Sequence, residues 1–228
     1  ESLSDIDYVS SDDLELLDSL NKTEYPMMFE DIVDAFNFNL FKNPDRDLVR
    51  FKDKSYTYGE GAYIASELAG KMNGLGIGIG DNVAFLVERS ELYMFCILGV
   101  LATGAVYVPL DDAHPDERLK FILGDTGSKV VIVSDETFGR AKELAGEDVV
   151  LLNISDIVNG EFGSSSSLPV VKSDVACILY TSGSTGLPKG VKVTKDAILN
   201  SVESYAKLFD MTNEDVYGLF ATIGFNTS

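Results

Sequence analysis

Tryptophan is absent from this 228-residue chain, histidine occurs once and cysteine twice. With His114 alone, a zinc site or a histidine-dependent catalytic triad has little to build on. Cys96 and Cys177 each lie in an apolar run without a metal-ligand or CxxC neighbour, which reads as two buried free thiols. Positive charge is scarce: 18 Lys and Arg stand against 37 Asp and Glu, for a net charge of −19 and a pI near 4.2. That balance argues against nucleic acid and anionic membranes as partners. It does not argue against ATP, because one local basic loop can hold phosphate inside an acidic protein. Long hydrophobic runs are also missing. Residues 92–110 carry no charge and approach the length of a bilayer span, but Gly99, Gly104 and Pro109 interrupt them. A buried helix entering a central strand is expected there, with Gly104 as the divide. The acidic start of the sequence shows no signal peptide, so the cytoplasm is the expected location. The Asn-x-Ser/Thr matches at Asn21, Asn153 and Asn226 then carry no meaning.

What is present is an alternation of helical and strand-like stretches. Ser11, Asp12 and Asp13 can cap a short helix bearing Leu14, Leu16, Leu17 and Leu20. Apolar residues at 29, 32, 33, 36 and 40 have helical spacing. Residues 48–51 and 55–58 flank Asp53-Lys54 as a hairpin, and 62–75 read as a helix. The glycines of 74–80 fail the Gly-x-Gly-x-x-Gly register and leave a helix for the strand 83–87, the reverse of a dinucleotide fingerprint, so they form a turn. Strands at 129–133 and 149–152 flank a helix at 136–145. Residues 160–167, rich in Gly and Ser, are expected to be a flexible surface loop. Beyond it come a short strand at 191–194, a helix at 197–209 with Ile198, Val202, Tyr205 and Phe209 on one face, and a strand at 216–220. Repeated strand–helix units predict an α/β fold with a mostly parallel sheet covered on both faces.

Chemistry concentrates in Tyr180-Thr181-Ser182-Gly183-Ser184-Thr185-Gly186-Leu187-Pro188-Lys189-Gly190, directly after the apolar run Val175-Ala176-Cys177-Ile178-Leu179. The order reads as a buried strand emptying into a loop. Glycines let the backbone approach a ligand closely, and successive N–H groups can form a concave anion site. Thr181, Ser182, Ser184 and Thr185 add hydroxyl donors, and Lys189 adds a compact charge suited to phosphate oxygens. The nucleotide P-loop pattern fails, because Pro188 precedes the lysine and Gly190 follows it. A solvated linker rarely follows so apolar a strand, and a plain surface hairpin leaves the hydroxyls and lysine unexplained. A polyphosphate cradle is the reading these residues support.

The eleven residues Tyr180 to Gly190 resemble the signature loop of the acyl-adenylate-forming enzymes, and especially the adenylation domains of nonribosomal peptide synthetases. Leu101-Ala102-Thr103-Gly104-Ala105-Val106-Tyr107-Val108-Pro109-Leu110-Asp111, followed by Pro115 and Glu117-Arg118, is similar to a second motif of that family, to which we assign a structural role. His114 beside it is expected to be a loop residue rather than a catalyst. Thr57-Tyr58-Gly59-Glu60 is similar to an early motif, with Gly61 where leucine is usual. Residues 1–27 resemble the linker that precedes such a domain in a multimodular synthetase, and 28–228 its N-terminal part. The resemblance implies the N-terminal portion of the large adenylate-forming domain, covering about half of an adenylating unit. It also implies that an acid is activated with ATP and Mg²⁺ as an acyl-adenylate, then passed to the phosphopantetheine thiol of a carrier protein, with a condensation domain in the same or an associated chain. Thr181, Ser182, Gly183, Ser184, Thr185, Gly186 and Lys189 would bind the nucleotide phosphates. No catalytic residue is expected within these 228 residues. Lys195 departs from the histidine common in the family. Gly224-Phe225-Asn226-Thr227-Ser228 resembles the motif that begins the acid pocket, making Phe225 and Asn226 substrate-binding candidates, with Asn226 where aspartate is usual. Aryl-acid-activating relatives carry asparagine there, so either an acid lacking an α-ammonium or an ordinary α-amino acid held by another carboxylate is compatible. A free-standing acyl-CoA or acid–thiol ligase and a non-catalytic scaffold domain are the alternatives.

Overall fold

The computed structural model describes residues 9–163, 167–181, 187–221 and 223. Helix α1 (Ser11–Asn21) is capped by Ser10, one residue before the expected caps, whose hydroxyl accepts from the Asp13 N–H. None of its residues is buried. Helix α2 (Ile32–Lys42) starts at Asp31, whose carboxylate caps the Val33 N–H at 2.8 Å. The expected hairpin follows as β1 (Asp47–Phe51) and β2 (Lys54–Thr57), paired antiparallel. Thr57 and Glu60 then close a capping box at the start of α3 (Tyr58–Gly74). The unexpected glycine at 61 has a packing reason. A Cβ there would lie 2.4 Å from Leu48 Cδ2, so Leu48 occupies the space a side chain would need.

The main sheet is built from β3 (Asn82–Leu86), β4 (Val106–Pro109), β5 (Val130–Val133), β6 (Val150–Asn153), β7 (Val175–Thr181) and β8 (Lys189–Thr194). Their order is β6-β5-β3-β4-β7-β8, parallel except for β8, which runs antiparallel to β7 at the edge. Between strands lie α4 (Leu92–Thr103), α5 (Asp116–Thr126), α6 (Asp135–Leu144) and the short α7 (Ser155–Val158), which sequence periodicity did not indicate. Helix α8 (Lys195–Leu208) follows β8.

Alternation along the strands sorts the core into two layers. Val83 and Phe85 of β3 and Val130 and Ile132 of β5 pack with Ile64, Leu68, Phe95 and Val100 from α3 and α4. Their neighbours Ala84, Leu86, Val131 and Val133 pack on the other face with Leu119, Ile122, Leu123 and Ala141 from α5 and α6. Strands buried on both faces need apolar residues at every position, which is why these stretches read as continuous runs. The uncharged stretch 92–110 divides as expected. Helix α4 ends at Gly104, with φ of 78°, and β4 begins two residues later. No helix among the described residues is long and apolar enough to cross a membrane. Cys96 and Cys177 are buried free thiols, both held protonated by burial.

Two local expectations fail. Phe162 and Gly163, read as flexible loop, are docked. Phe162 packs edge-on against Tyr56 and Tyr63, and Gly163 abuts the Tyr63 ring. Residues 216–220 form no strand. Val216, Tyr217, Leu219 and Phe220 are exposed, and no described segment pairs with them. On α8, the face bearing Val202, Tyr205 and Phe209 is exposed, while Lys195 and Leu199 are the buried residues.

Candidate functional site

Because β3, β4, β5 and β7 are parallel, their carboxyl ends share one edge of the sheet, the edge where ligands bind in open α/β folds. The Ser/Thr/Gly loop leaves β7 at that edge and returns along β8. Pairing is in register to its mouth, with Tyr180 opposite Gly190 and Thr181 opposite Lys189. Thr181 and Lys189, two of the expected phosphate contacts, are thereby brought side by side, both exposed to solvent. Ser182, Gly183, Ser184, Thr185 and Gly186 lie outside the described residues, as do Phe225 and Asn226 of the expected acid pocket.

Tyr180 holds the β7 leg. Its hydroxyl donates to Asp125 Oδ2 at 2.5 Å, and its carbonyl accepts from Arg118 Nη2 at 3.2 Å. Phe121 meets its ring edge-on, at a centroid distance of 6.5 Å. Burial, and then the hydrogen bond to the Asp125 carboxylate, push the Tyr180 phenol above its ordinary titration range. Gly190 completes the arrangement, because a Cβ there would come within 3.0–3.1 Å of the Tyr180 ring and hydroxyl. Arg118 Nε and His114 Nδ1 are both buried, without a partner among the described residues. Burial first, and the Arg118 charge second, lower the pKa of His114, favouring a neutral imidazole at neutral pH. The loop ahead of α5 is tied by Arg140, which donates to the Asp112 and His114 carbonyls at 2.5 and 2.6 Å and to Asp116 at 2.9 Å. The expected structural role of the Pro115–Arg118 region thus has a physical content. It carries the helix against which the loop entrance rests.

Sequence reasoning passed over Lys195. It is 3% exposed, and its Nζ donates to Asp31 Oδ2 at 2.7 Å and to the Val171 carbonyl at 2.9 Å. The pair joins the start of α2 to the junction of β8 and α8. Its departure from the family's usual histidine was the one visible signal. A separate cleft of about 90 Å³ is lined by Glu88, Glu91, Asp135 and Glu136, with Lys54 bridging to Glu91 at 3.2 Å. Its carboxylates would repel phosphate, so it does not compete with the hairpin as a nucleotide site. Among the described residues no group of three or more His, Cys, Asp or Glu could hold a metal ion.

The profile of the AMP-binding enzyme family matches residues 36–228, and the chain belongs to that family. Among its relatives, nonribosomal peptide synthetase GRA1 of Gibberella zeae is 35% identical over 100% of this chain and 3% of its own length. N-(5-amino-5-carboxypentanoyl)-L-cysteinyl-D-valine synthase of Streptomyces clavuligerus is 30% identical over 92% of this chain and 28% of its own length. A crystal structure of the nonribosomal peptide synthetase FmoA3 (S1046A) superposes with a TM-score of 0.82 and 26% identity, covering 96% of this chain and 23% of that one. Its AMPPNP-bound form gives 0.81 and 25%, over 95% and 23%. The chain therefore spans less than a third of these relatives, and its mostly parallel sheet with flanking helices is the fold of the N-terminal part of a synthetase adenylation domain.

Proposed function

We propose that the protein to which this chain belongs activates a carboxylic acid with ATP, and that residues 181–189 hold the β- and γ-phosphates. The observation carrying this is the in-register pairing of Thr181 with Lys189 at the carboxyl edge of the sheet, which places a hydroxyl and an ammonium at one loop mouth. In the reaction, a carboxylate oxygen of the acid attacks the α-phosphorus of ATP. The bond to the bridging oxygen breaks, and pyrophosphate leaves with the electron pair. Charge grows on the departing phosphates, so Lys189 and the loop hydroxyls of Ser182, Ser184 and Thr185 stabilise the transition state more than the ground state. Magnesium would arrive with the nucleotide, chelated mainly by its phosphates, as is usual for that ion. The acyl-adenylate would then be attacked by the phosphopantetheine thiol of a carrier domain, releasing AMP. On this reading residues 1–27 are an inter-domain linker and 28–228 the first part of the adenylating unit, in a cytoplasmic synthetase with carrier and condensation partners.

The acid itself is proposed from Asn226, with Phe225 beside it. A carboxylate at that position would pair with an α-ammonium, whereas an amide both donates and accepts but carries no charge. A hydroxy, keto, aryl or β-amino acid fits that better. The test is acid-dependent ATP–pyrophosphate exchange by the full-length protein over a panel of α-amino, β-amino, hydroxy and aryl acids. Lys189→Ala should lower kcat/KM by about one to two decades, since a charge-assisted hydrogen bond contributes about 1.5–3 kcal/mol. No exchange with any acid, or wild-type exchange by Lys189→Ala, rejects the reading of the loop. A preference for a common α-amino acid, unchanged in Asn226→Asp, rejects the reading of the acid alone.

A further inference from the structure

We propose that one face of α5 is a positioning device for the phosphate-binding loop, acting through Tyr180. The inference rests on the reading of the loop given above and deepens it. Arg118, Phe121 and Asp125 are spaced i, i+3 and i+7, so they share one face of the helix. All three converge on the same residue by different means: a hydrogen bond to its main-chain carbonyl, an edge-on ring contact and a hydrogen bond from its hydroxyl. Together they fix the place, the tilt and the rotation of the residue that leads into Thr181.

Burial alone does not account for this arrangement. Asp125 is exposed and Tyr180 only half-buried, so little apolar surface is gained by carrying the phenol to that carboxylate. The β7–β8 ladder pairs Tyr180 with Gly190 through the backbone, which needs no phenol at all. What the phenol adds is a tie between the loop's two legs and a fixed helix. A Cβ at Gly190 would stand only 3.0–3.1 Å from the Tyr180 ring and hydroxyl, a tight fit that would press on the phenol, and Gly190 is the residue next to Lys189. The far side of the tie is rigid. Leu119, Ile122 and Leu123 seat α5 on the sheet, and Arg140 pins the segment that enters it. Arg118 also keeps a buried Nε without a partner among the described residues, directly beside the loop entrance. Such support is what a phosphate cradle requires, because contacts to a reacting group lose much of their effect when displaced by about 1 Å.

The test is equilibrium binding by the full-length protein, measured by calorimetry separately for Mg-ATP and for AMP, which lacks the β- and γ-phosphates. Asp125→Ala and Tyr180→Phe should each raise the Kd for ATP by about fivefold to tenfold, the scale of one lost hydrogen bond, while AMP stays within about twofold. The double variant should be no worse than the weaker-binding single variant, since both remove one interaction. Asp125→Asn, which retains an acceptor, should restore most of the affinity for ATP. The proposal is overturned if the single variants bind ATP as the wild type does, or if ATP and AMP weaken together, as a general loss of structure would cause. A wild type that binds neither nucleotide removes the loop reading and the proposal with it. Wild-type binding with indifferent variants removes the proposal alone.

Discussion

Lys195 shows how much a single side chain can be asked to do in this fold. A lysine so far from water is tolerated because its charge is matched by Asp31 and because a second proton goes to the Val171 carbonyl. Asp31 is committed twice, since its other oxygen caps α2 through the Val33 N–H. Removing one partner leaves an uncompensated buried charge, which costs about 3–5 kcal/mol. Lys195→Met should therefore lower stability by about that amount in chemical denaturation. The double variant Asp31→Leu with Lys195→Met should recover part of the loss, because no charge is then stranded. Equal losses in single and double variants would show that the pair's charge complementarity does not matter. Beyond the departure from the family's usual histidine, none of this was legible in sequence, since Lys195 and Asp31 are 164 residues apart. Thr181 and Lys189 were singled out in the sequence by residue type, but their antiparallel pairing was not, because the short strand at 191–194 carried no sign of its partner.

At the scale of elements, periodicity fared best where both partners of a contact lie within the chain. Helices α3 and α6 and the strands β3 and β5 were readable because each faces a neighbour within the chain. Helix α1 was readable as a helix but not as to its surroundings. Leu14, Leu16, Leu17 and Leu20 are 49–64% exposed, and the first firm contacts with the body come later. The Tyr25 hydroxyl meets Ser204 Oγ at 2.8 Å, and the Met28 and Phe29 N–H groups donate to the Glu203 carboxylate at 2.9–3.2 Å. The seam with α8 thus starts at Tyr25. Deleting residues 1–21 should change the unfolding free energy of this chain by no more than about 0.5 kcal/mol, the usual range for surface changes. Glu203→Ala, in contrast, leaves two main-chain donors to water and should cost about 1 kcal/mol. A deletion that destabilises more than Glu203→Ala would mean that α1 packs against the body after all. The 216–220 stretch failed for the opposite reason: alternation can announce a strand, but only a hydrogen-bonded neighbour makes one.

For the whole molecule, two forces act on the exposed apolar side chains of α8 and of residues 216–220. Val202, Tyr205, Leu208, Phe209, Val216, Tyr217, Leu219 and Phe220 are all exposed, Val216 and Phe220 to 88% and 87%. Apolar side chains exposed in such numbers favour covering by another surface. Against this stands the net charge of −19, which makes two copies repel each other. Salt separates the two. Raising ionic strength from about 0.01 to 1 M shortens the screening length from about 30 to 3 Å, which removes the repulsion and leaves the apolar attraction intact. The isolated 228-residue chain should therefore sediment as a monomer at low salt and self-associate at high salt, and it should bind an apolar dye at both. It should also show no acid-dependent ATP–pyrophosphate exchange, since it spans 23% of the matched synthetase structure and, on the function proposed above, the rest of the protein would complete the nucleotide and acid pockets. The full-length protein should bind little dye if the chain that completes the pockets also covers these side chains. Robust exchange by the isolated chain would show that its site is already complete. A monomer at high salt with no dye binding would show that the face needs no cover, and the proposed dependence on the rest of the protein would then fall.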